Sequence, residues 1–397
     1  MIYEIKQLNN QGLGICYANN KITFVYNTLI GDKVSIEIIK TTSKYNIAKV
    51  KEYFKRSDSY KASFCKYSST CGGCNFLNMS YEDTLVYKRE KVEHVLKKFA
   101  NIDEYVAIVS SDNRYNYRNK ITLQVQNKEI GYYTYNTNEI VAIDNCLIAK
   151  ESINKIIPIL KEFNVNNGKI IVRCNYIDEL LIHIITDDRV KIPQDLPSNI
   201  KGIVVNSKTL YGDNFLIDKI GDKYFKLSYD SFFQVNNYVS SIIFDLIDKH
   251  ILKDENILDL YCGVGTLGLS TYIKDKKLYG IEIVENAINN AIYNAKHNSV
   301  VNYEYKCGKV EDQINKYINE NIGVVIVDPP RKGLDKKALN SILAINPKQV
   351  IYVSCDPITL ARDLNTLKDR YKIEYICALD MFPNTYHVET FVVLVRQ

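Results

Sequence analysis

The stretch Val350-Ile351-Tyr352-Val353-Ser354-Cys355-Asp356-Pro357 decides the fold of this chain. Its apolar run ends abruptly in a cysteine and a proline, the pattern of a buried parallel strand emptying into a loop. In an open α/β sheet, ligands bind in the crevice beyond the carboxyl ends of the strands. Cys355 is therefore expected at the mouth of a site. Two similar strand ends precede it, Ile257-Leu258-Asp259-Leu260-Tyr261-Cys262-Gly263-Val264-Gly265 and Val324-Val325-Ile326-Val327-Asp328-Pro329-Pro330. From Ser231 onward, strand and helix patterns alternate regularly, which predicts a doubly wound parallel sheet.

The first of these strand ends carries Gly263-Val264-Gly265, where glycine lets the backbone approach a ligand beside a helix N-terminus. The third glycine of the dinucleotide fingerprint is missing, so a nucleoside cofactor fits better than NAD. The following strand, Leu278-Tyr279-Gly280-Ile281, ends in Glu282, a carboxylate placed to accept from a ribose hydroxyl pair. Asp328 closes the third strand end, and this loop, acid and strand end recur together in S-adenosylmethionine enzymes. Two consecutive prolines after Asp328 fix a rigid loop carrying Arg331. Glu389 lies between Val388 and the apolar strand Phe391-Val392-Val393-Leu394-Val395. Dry surroundings raise a carboxyl pKa, which suits a general base.

At 397 residues, with 46% apolar and 24% charged side chains, the chain is long enough for two or three soluble domains. No apolar run reaches bilayer length and the N-terminus lacks a signal peptide's apolar core, so a cytoplasmic protein without a membrane partner is expected. Ten cysteines in a reducing compartment point to metal or catalytic roles rather than to bridges. A net charge of +5 only permits a polyanionic partner. The basic residues are uneven, however. Lys40, Lys44, Lys49, Lys51, Lys55, Arg56, Lys61 and Lys66 interleave with Tyr45, Tyr53, Phe54, Tyr60 and Tyr67, the composition of a nucleic-acid groove or of a solvated basic face.

Residues 1–56 read as short β segments separated by Asn19-Asn20 and Gly31-Asp32, which predicts a small oligonucleotide-binding type of barrel. Cys65, Cys71 and Cys74, with Gly72-Gly73 between the last two, are followed much later by Cys146. Three close thiolates and a distant fourth match iron–sulfur ligation better than the paired spacing of a zinc ribbon, with zinc as the alternative. Ser80-Tyr81-Glu82-Asp83 predicts a capped surface helix burying Leu85, Val92, Val95, Leu96 and Phe99. Arg114-Tyr115-Asn116-Tyr117-Arg118 repeats the basic-aromatic mixture. Residues 150–225 are the least informative; His183, Cys174 and Cys16 read as core.

The set SFFQVN (231–236), LDLYCGVGTLGL (258–269), GIE (280–282), DPPRKGL (328–334), SCDP (354–357) and DMFPNTYHVE (380–389) resembles the RNA 5-methyluridine methyltransferases. The cysteine pattern and N-terminal barrel resemble their ribosomal-RNA branch. The resemblance implies a TRAM-like barrel over 1–56, a central α+β iron–sulfur and RNA-recognition domain over 57–225, and a Rossmann-like class I methyltransferase domain over 226–397. It implies Cys355 as nucleophile and Glu389 as base. Gln234, Tyr261, Glu282 and Asp328 would form the S-adenosylmethionine pocket, and Cys65, Cys71, Cys74 and Cys146 would hold a [4Fe-4S] cluster. Where some relatives carry an asparagine after the glycine pair, this chain has Thr266. The expected substrate is a uridine of 23S rRNA, with tRNA as the alternative, acted on by a monomer. A cytosine-C5 methyltransferase and a non-catalytic RNA-binding or ribosome-assembly module are the rival readings.

Overall fold

The computed structural model describes residues 1–135 and 137–397. Six strands open the chain: β1 (Tyr3–Glu4), β2 (Gln7–Leu8), β3 (Gly14–Ala18), β4 (Lys21–Val25), β5 (Lys33–Thr41) and β6 (Asn46–Lys55). They form one mixed sheet in the order β1-β5-β6-β4-β3-β2, curled around Ile5, Cys16, Val25, Val34 and Ala48. Alternation puts Val25 inside and Phe24 on the outer face, as a half-buried strand requires.

Next comes α1 (Tyr81–Ala100), capped by Ser80, whose side chain accepts from Asp83 N as the sequence predicts. Its buried face differs from the prediction. Val92, Val95 and Leu96 are inside, but so are Thr84, Lys88 and Ala100, while Phe99 is exposed. The short strand β7 (Ala107–Val109) follows. A seven-stranded sheet then forms from β8 (Lys120–Gln126), β9 (Glu129–Tyr133), β10 (Ile140–Ala142), β11 (Asn167–Cys174), β12 (Leu180–Ile185), β13 (Ile200–Val205) and β14 (Lys208–Gly212), in the order β10-β9-β8-β11-β12-β13-β14. Helix α2 (Glu151–Ile156) packs on it. The hairpin β15 (Phe215–Ile220) and β16 (Lys223–Ser228) forms a two-stranded sheet of its own.

The C-terminal region runs α3 (Asn237–His250), β17 (Asn256–Leu260), α4 (Thr266–Ser270), β18 (Leu278–Glu282), α5 (Glu285–His297), β19 (Tyr303–Cys307), α6 (Val310–Gln313), β20 (Ile322–Val327), α7 (Lys336–Ile345), β21 (Gln349–Ser354), α8 (Pro357–Leu367), β22 (Tyr371–Leu379) and β23 (Glu389–Arg396). Its sheet order is β19-β18-β17-β20-β21-β23-β22-β7, with β17 to β21 parallel and β23 antiparallel between β21 and β22. Burial on both faces explains why β20 is apolar throughout and β21 apolar between Gln349 and Ser354.

Elements near both ends of the 57–225 stretch pack on the catalytic region. Strand β7 joins the catalytic sheet beside β22, and α1 packs on that sheet's helices with Val92 and Val95 in the same core as Leu360 and Leu364. At the other end, β16 docks on α5 through Tyr224 N to Asn298 Oδ1 (3.0 Å) and Lys226 N to Asn294 Oδ1 (2.6 Å). An amphipathic helix or an edge strand carries no mark of which sheet it will join. Among the described residues, no helix is long and apolar enough to cross a membrane.

Candidate active site and cysteine cavity

Strand β17 ends in a left-handed turn. Tyr261, Gly263 and Gly265 all have positive φ, at 61°, 55° and 85°, before α4 begins. The turn is held from beneath: Asp259 Oδ2 accepts from Gly268 N at 2.9 Å and Glu282 Oε2 from Gly263 N at 3.1 Å. Above it lies a cavity lined by Phe233, Gln234, Tyr261, Gly263, Thr266 and Asp328, with exposed Phe232 at its rim. Gln234 Nε2 donates to Asp328 Oδ2 at 3.4 Å, and Asn119 Nδ2 holds the Gln234 carbonyl at 3.0 Å. Burial pushes Asp328 up to about 7 and Asp259 up to about 8. The buried Tyr261 hydroxyl has no partner. A polar ligand with a flat ring would meet an orphan hydroxyl, two carboxyls and an aromatic wall. Glu282 stands behind this cavity rather than in its lining, both oxygens engaged with amides, Gly263 N and Val284 N.

The nucleophile and base candidates are brought together by strand register. Strands β21 and β23 pair antiparallel with Ser354 opposite Thr390, so one step further sets Cys355 opposite Glu389. On the other side, Val327 of β20 pairs with Tyr352, so Asp328 leaves the neighbouring strand end. Asp356 caps α8, accepting from Ile358 N and Thr359 N at 2.9 and 3.0 Å, and Pro357 occupies the first turn. Cys355 is half-buried and Glu389 is buried, with Glu389 Oε2 unpartnered.

The electropositive setting expected for a thiolate is not what surrounds this sulfur. Burial, then Glu389 and Asp328, push the Cys355 thiol up to about 12; Arg331 acts the other way but does not offset them. Burial and Asp328 also raise Glu389 well above the usual carboxylate range. Cys355 opens into a groove between the barrel, α1 and the catalytic domain, lined also by Arg331, Lys91, His387 and Tyr386. Arg331 stands on a loop pinned by Asp363, which accepts from Leu334 N and from the Tyr352 hydroxyl, both at 2.8 Å.

Cys65, Cys71, Cys74 and Cys146 are free thiols lining one cavity of about 480 Å3. Asp144 brings the two segments together, accepting from Lys66 Nζ at 2.6 Å and from the Tyr67 hydroxyl at 2.7 Å, while Gly72 N donates to Tyr133 O at 2.9 Å and the Tyr135 hydroxyl to Cys74 O at 2.6 Å. Burial raises Cys71 to about 11 and Cys74 well above its usual value. Arg118 reaches the same cavity, its buried Nε unpaired. Among the described residues, no three His, Cys, Asp or Glu side chains converge on the position of a single ion.

Comparison with known proteins decides the family. Residues 194–397 match the tRNA (uracil-5-)-methyltransferase family model and residues 4–51 the TRAM domain model. The chain is 35% identical to an uncharacterized RNA methyltransferase of Clostridium tetani, covering 98% of this chain and 95% of that one. An uncharacterized RNA methyltransferase of Staphylococcus aureus is 32% identical, covering 97% and 96%. The crystal structure of a Pyrococcus abyssi tRNA (uracil-54, C5)-methyltransferase with S-adenosyl-L-homocysteine superposes with a TM-score of 0.80 at 26% identity, covering 100% of both chains. The chain belongs to the RNA uracil-5-methyltransferase family.

It is thus an S-adenosylmethionine-dependent RNA methyltransferase of the uracil-C5 type with an N-terminal TRAM domain. Within the methyltransferase fold, Gln234, Tyr261 and Asp328 share one cavity, and Cys355 and Glu389 face each other across a strand pair. The sequence reading missed the supporting carboxyls Asp259, Asp363 and Asp380. It also missed Lys88, fully buried in an ion pair with Asp380 and donating to Phe382 O at 3.0 Å. That pair and the Tyr81 hydroxyl, 2.8 Å from Asp380 Oδ2, tie α1 to the loop that leads into Glu389. The available signal was Lys88 falling four residues before Val92 on the buried stripe.

Proposed function

We propose that this methyltransferase transfers a methyl group to carbon 5 of a specific uridine in 23S rRNA, through a transient bond between Cys355 Sγ and carbon 6. The observation that carries this reading is the register that sets Cys355 opposite Glu389, with Asp328 leaving the adjacent strand end. Carbon 5 of uracil is a poor nucleophile. Addition of the Cys355 sulfur at carbon 6 moves the ring's double-bond electrons onto the carbon 5 to oxygen 4 enolate, which can then take a methyl group. S-adenosylmethionine, which Gln234, Tyr261, Glu282 and Asp328 would hold, would supply an electrophilic methyl on a positively charged sulfur. Glu389 then takes the carbon 5 proton; those bonding electrons restore the ring double bond and expel the sulfur of Cys355. Burial makes the Glu389 carboxylate a stronger acceptor once it forms.

Cys65, Cys71, Cys74 and Cys146 would hold a [4Fe-4S] cluster tying residues 65–74 to the segment at 146. Zinc at about 2.3 Å from each sulfur would draw four thiolates onto one point. The support for either metal is that the four thiols line one cavity. The cluster's service there is structural. The barrel over 1–56 would serve as an RNA-binding domain of a cytoplasmic, monomeric enzyme.

A tRNA uridine is the second reading, favoured by the likeness to the Pyrococcus abyssi tRNA enzyme. Mapping 5-methyluridine by mass spectrometry in ribosomal and transfer RNA from a deletion strain separates the two. Cys355→Ala should restore neither modification. With 5-fluorouridine in the target RNA, whose carbon 5 substituent cannot leave as a proton, wild type should form a stable protein–RNA adduct and Cys355→Ala none. A Cys355→Ala chain that still methylates would refute the assignment; cofactor binding without methyl transfer by wild type would favour a non-catalytic RNA-binding factor, and methylcytidine as product would favour the cytosine reading.

A further inference from the structure

A second groove, with about 1750 Å3 of empty space, runs between the outer face of the barrel and the loops around the cysteine cavity. Phe24 and Tyr45 line it from the barrel, edge to face with centroids 5.4 Å apart. Tyr133, 40% exposed at the end of β9, lines the opposite wall, and exposed Lys40 lies along it. Asn9, Gln11 and Tyr386 line both this groove and the one into which Cys355 opens, so the two are lobes of one track. None of these rings supports the barrel's core, which is Ile5, Cys16, Val25, Val34 and Ala48. Partly exposed aromatic rings lining a groove with a cation, continuous with a catalytic cleft, are what unstacked bases and their phosphates require.

We propose that this second lobe is a stacking subsite for unpaired nucleotides on one side of the target uridine, with Phe24, Tyr45 and Tyr133 as base platforms and Lys40 as a phosphate partner. The proposal deepens the RNA-methylation reading and rests on it for the direction of the track. A duplex cannot offer its base faces to such platforms, so the target must lie in a single-stranded segment that continues into the lobe. Because the track leaves the catalytic cleft at the Tyr386 end, extension on one side of the target gains contacts that extension on the other does not.

The test is equilibrium binding of the full-length chain to fluorescent oligoribonucleotides carrying the mapped uridine, trimmed to that uridine's immediate neighbours or extended by a few nucleotides 5′ or 3′. Extension on one side should tighten binding. Phe24→Ala with Tyr45→Ala should weaken the extended RNA about 5- to 100-fold, the range for lost base stacking, while leaving the trimmed RNA unchanged. An abasic residue in the extension should weaken binding similarly, and adding the two alanines should then cost little more, as for partners in one contact. Phe54→Ala, an exposed barrel aromatic outside the groove lining, serves as control and should change nothing. Equal weakening of trimmed and extended RNA, additive effects of the abasic site and the alanines, or no effect of the alanines would overturn the proposal. Because binding is the readout, a wild-type chain that methylates no RNA would sink the catalytic reading without deciding this one.

Discussion

Replacing Lys88 by methionine tests how the catalytic loop is held. The ammonium and the Asp380 carboxylate are both fully buried, and α1 reaches the loop through this pair, through Lys88 Nζ to Phe382 O at 3.0 Å and through the Tyr81 hydroxyl to Asp380 Oδ2 at 2.8 Å. Methionine fills similar space, so the packing against Val92 is kept. What changes is that Asp380 becomes a buried anion with one hydroxyl and no cation. Removing one partner of a buried pair costs about 3–5 kcal/mol because the other charge is left uncompensated. Lys88→Met with Asp380→Asn removes both charges, and asparagine still accepts from Tyr81. The double variant should therefore recover more than half of that loss. Thermal unfolding of the catalytic region, followed by tyrosine fluorescence or hydrogen exchange in α1 and β22, reads the stability. Catalysis should change through the segment that ends at Glu389, with kcat falling in Lys88→Met more than KM rises. A single variant within about 1 kcal/mol of wild type, or a double variant no better than the single, would refute the idea that charge compensation holds this loop.

The remaining predictions concern protons and metal. Glu389→Gln should still form the covalent RNA adduct and accumulate it, since glutamine cannot take the carbon 5 proton; turnover at the wild-type rate would remove the base role. With the Cys355 thiol pushed up to about 12, log kcat/KM should climb with a slope near one between pH 7 and 9, and a plateau above pH 7 would mean the resting sulfur is already ionised. Burial raises Asp328 from 3.8 to about 7, so the folded state holds its proton more tightly than the unfolded and stability falls as pH rises through that window. Asp328→Asn should gain on wild type from pH 4 to pH 7 by up to about 4 kcal/mol, at 1.36 kcal/mol per unit; a constant difference across that window would refute it. Chain purified without oxygen should carry iron and acid-labile sulfide that Cys74→Ser loses, whereas one zinc and no sulfide would reverse the cluster proposal.

The catalytic sheet was legible because its strands are buried on both faces and end in residues that cannot continue them. Cys355 followed by Asp356-Pro357, and Gly263-Val264-Gly265 after β17, mark strand ends by backbone chemistry alone. The Ser80 cap was legible for the same reason. What the sequence could not show is where an element docks. Strand β7 has three residues and no pattern, yet its backbone completes the edge beside β22. Phe99, read as core, is 48% exposed, because α1 turns its Thr84, Lys88 and Ala100 face to the catalytic sheet instead. Glu282 was read as a ligand acid from its strand-end position. Its oxygens also accept from two backbone amides, Gly263 N and Val284 N, contacts set by the path of a turn that periodicity does not reveal.

The electrostatics of the cleft carry the last step. A nucleophilic sulfur can be activated by a fixed cation or by what enters the site with the substrate. Around Cys355 burial raises the thiol most, Glu389, Asp328 and Asp356 add to it, and Arg331 acts the other way. His387 does not serve as that cation, since burial, Arg331, Lys91 and Lys88 press it down to about 3 and keep it neutral. A resting thiol in such surroundings is inert toward solvent oxidants, which attack thiolates. The missing positive charge is the one a methyl sulfonium would bring to the cavity that shares Asp328 with this site. A positive charge there favours the ionised forms of Asp328, Glu389 and Cys355 together. With Cys355 as the proposed nucleophile, burial and these acids would together make its activation depend on the methyl donor being in place.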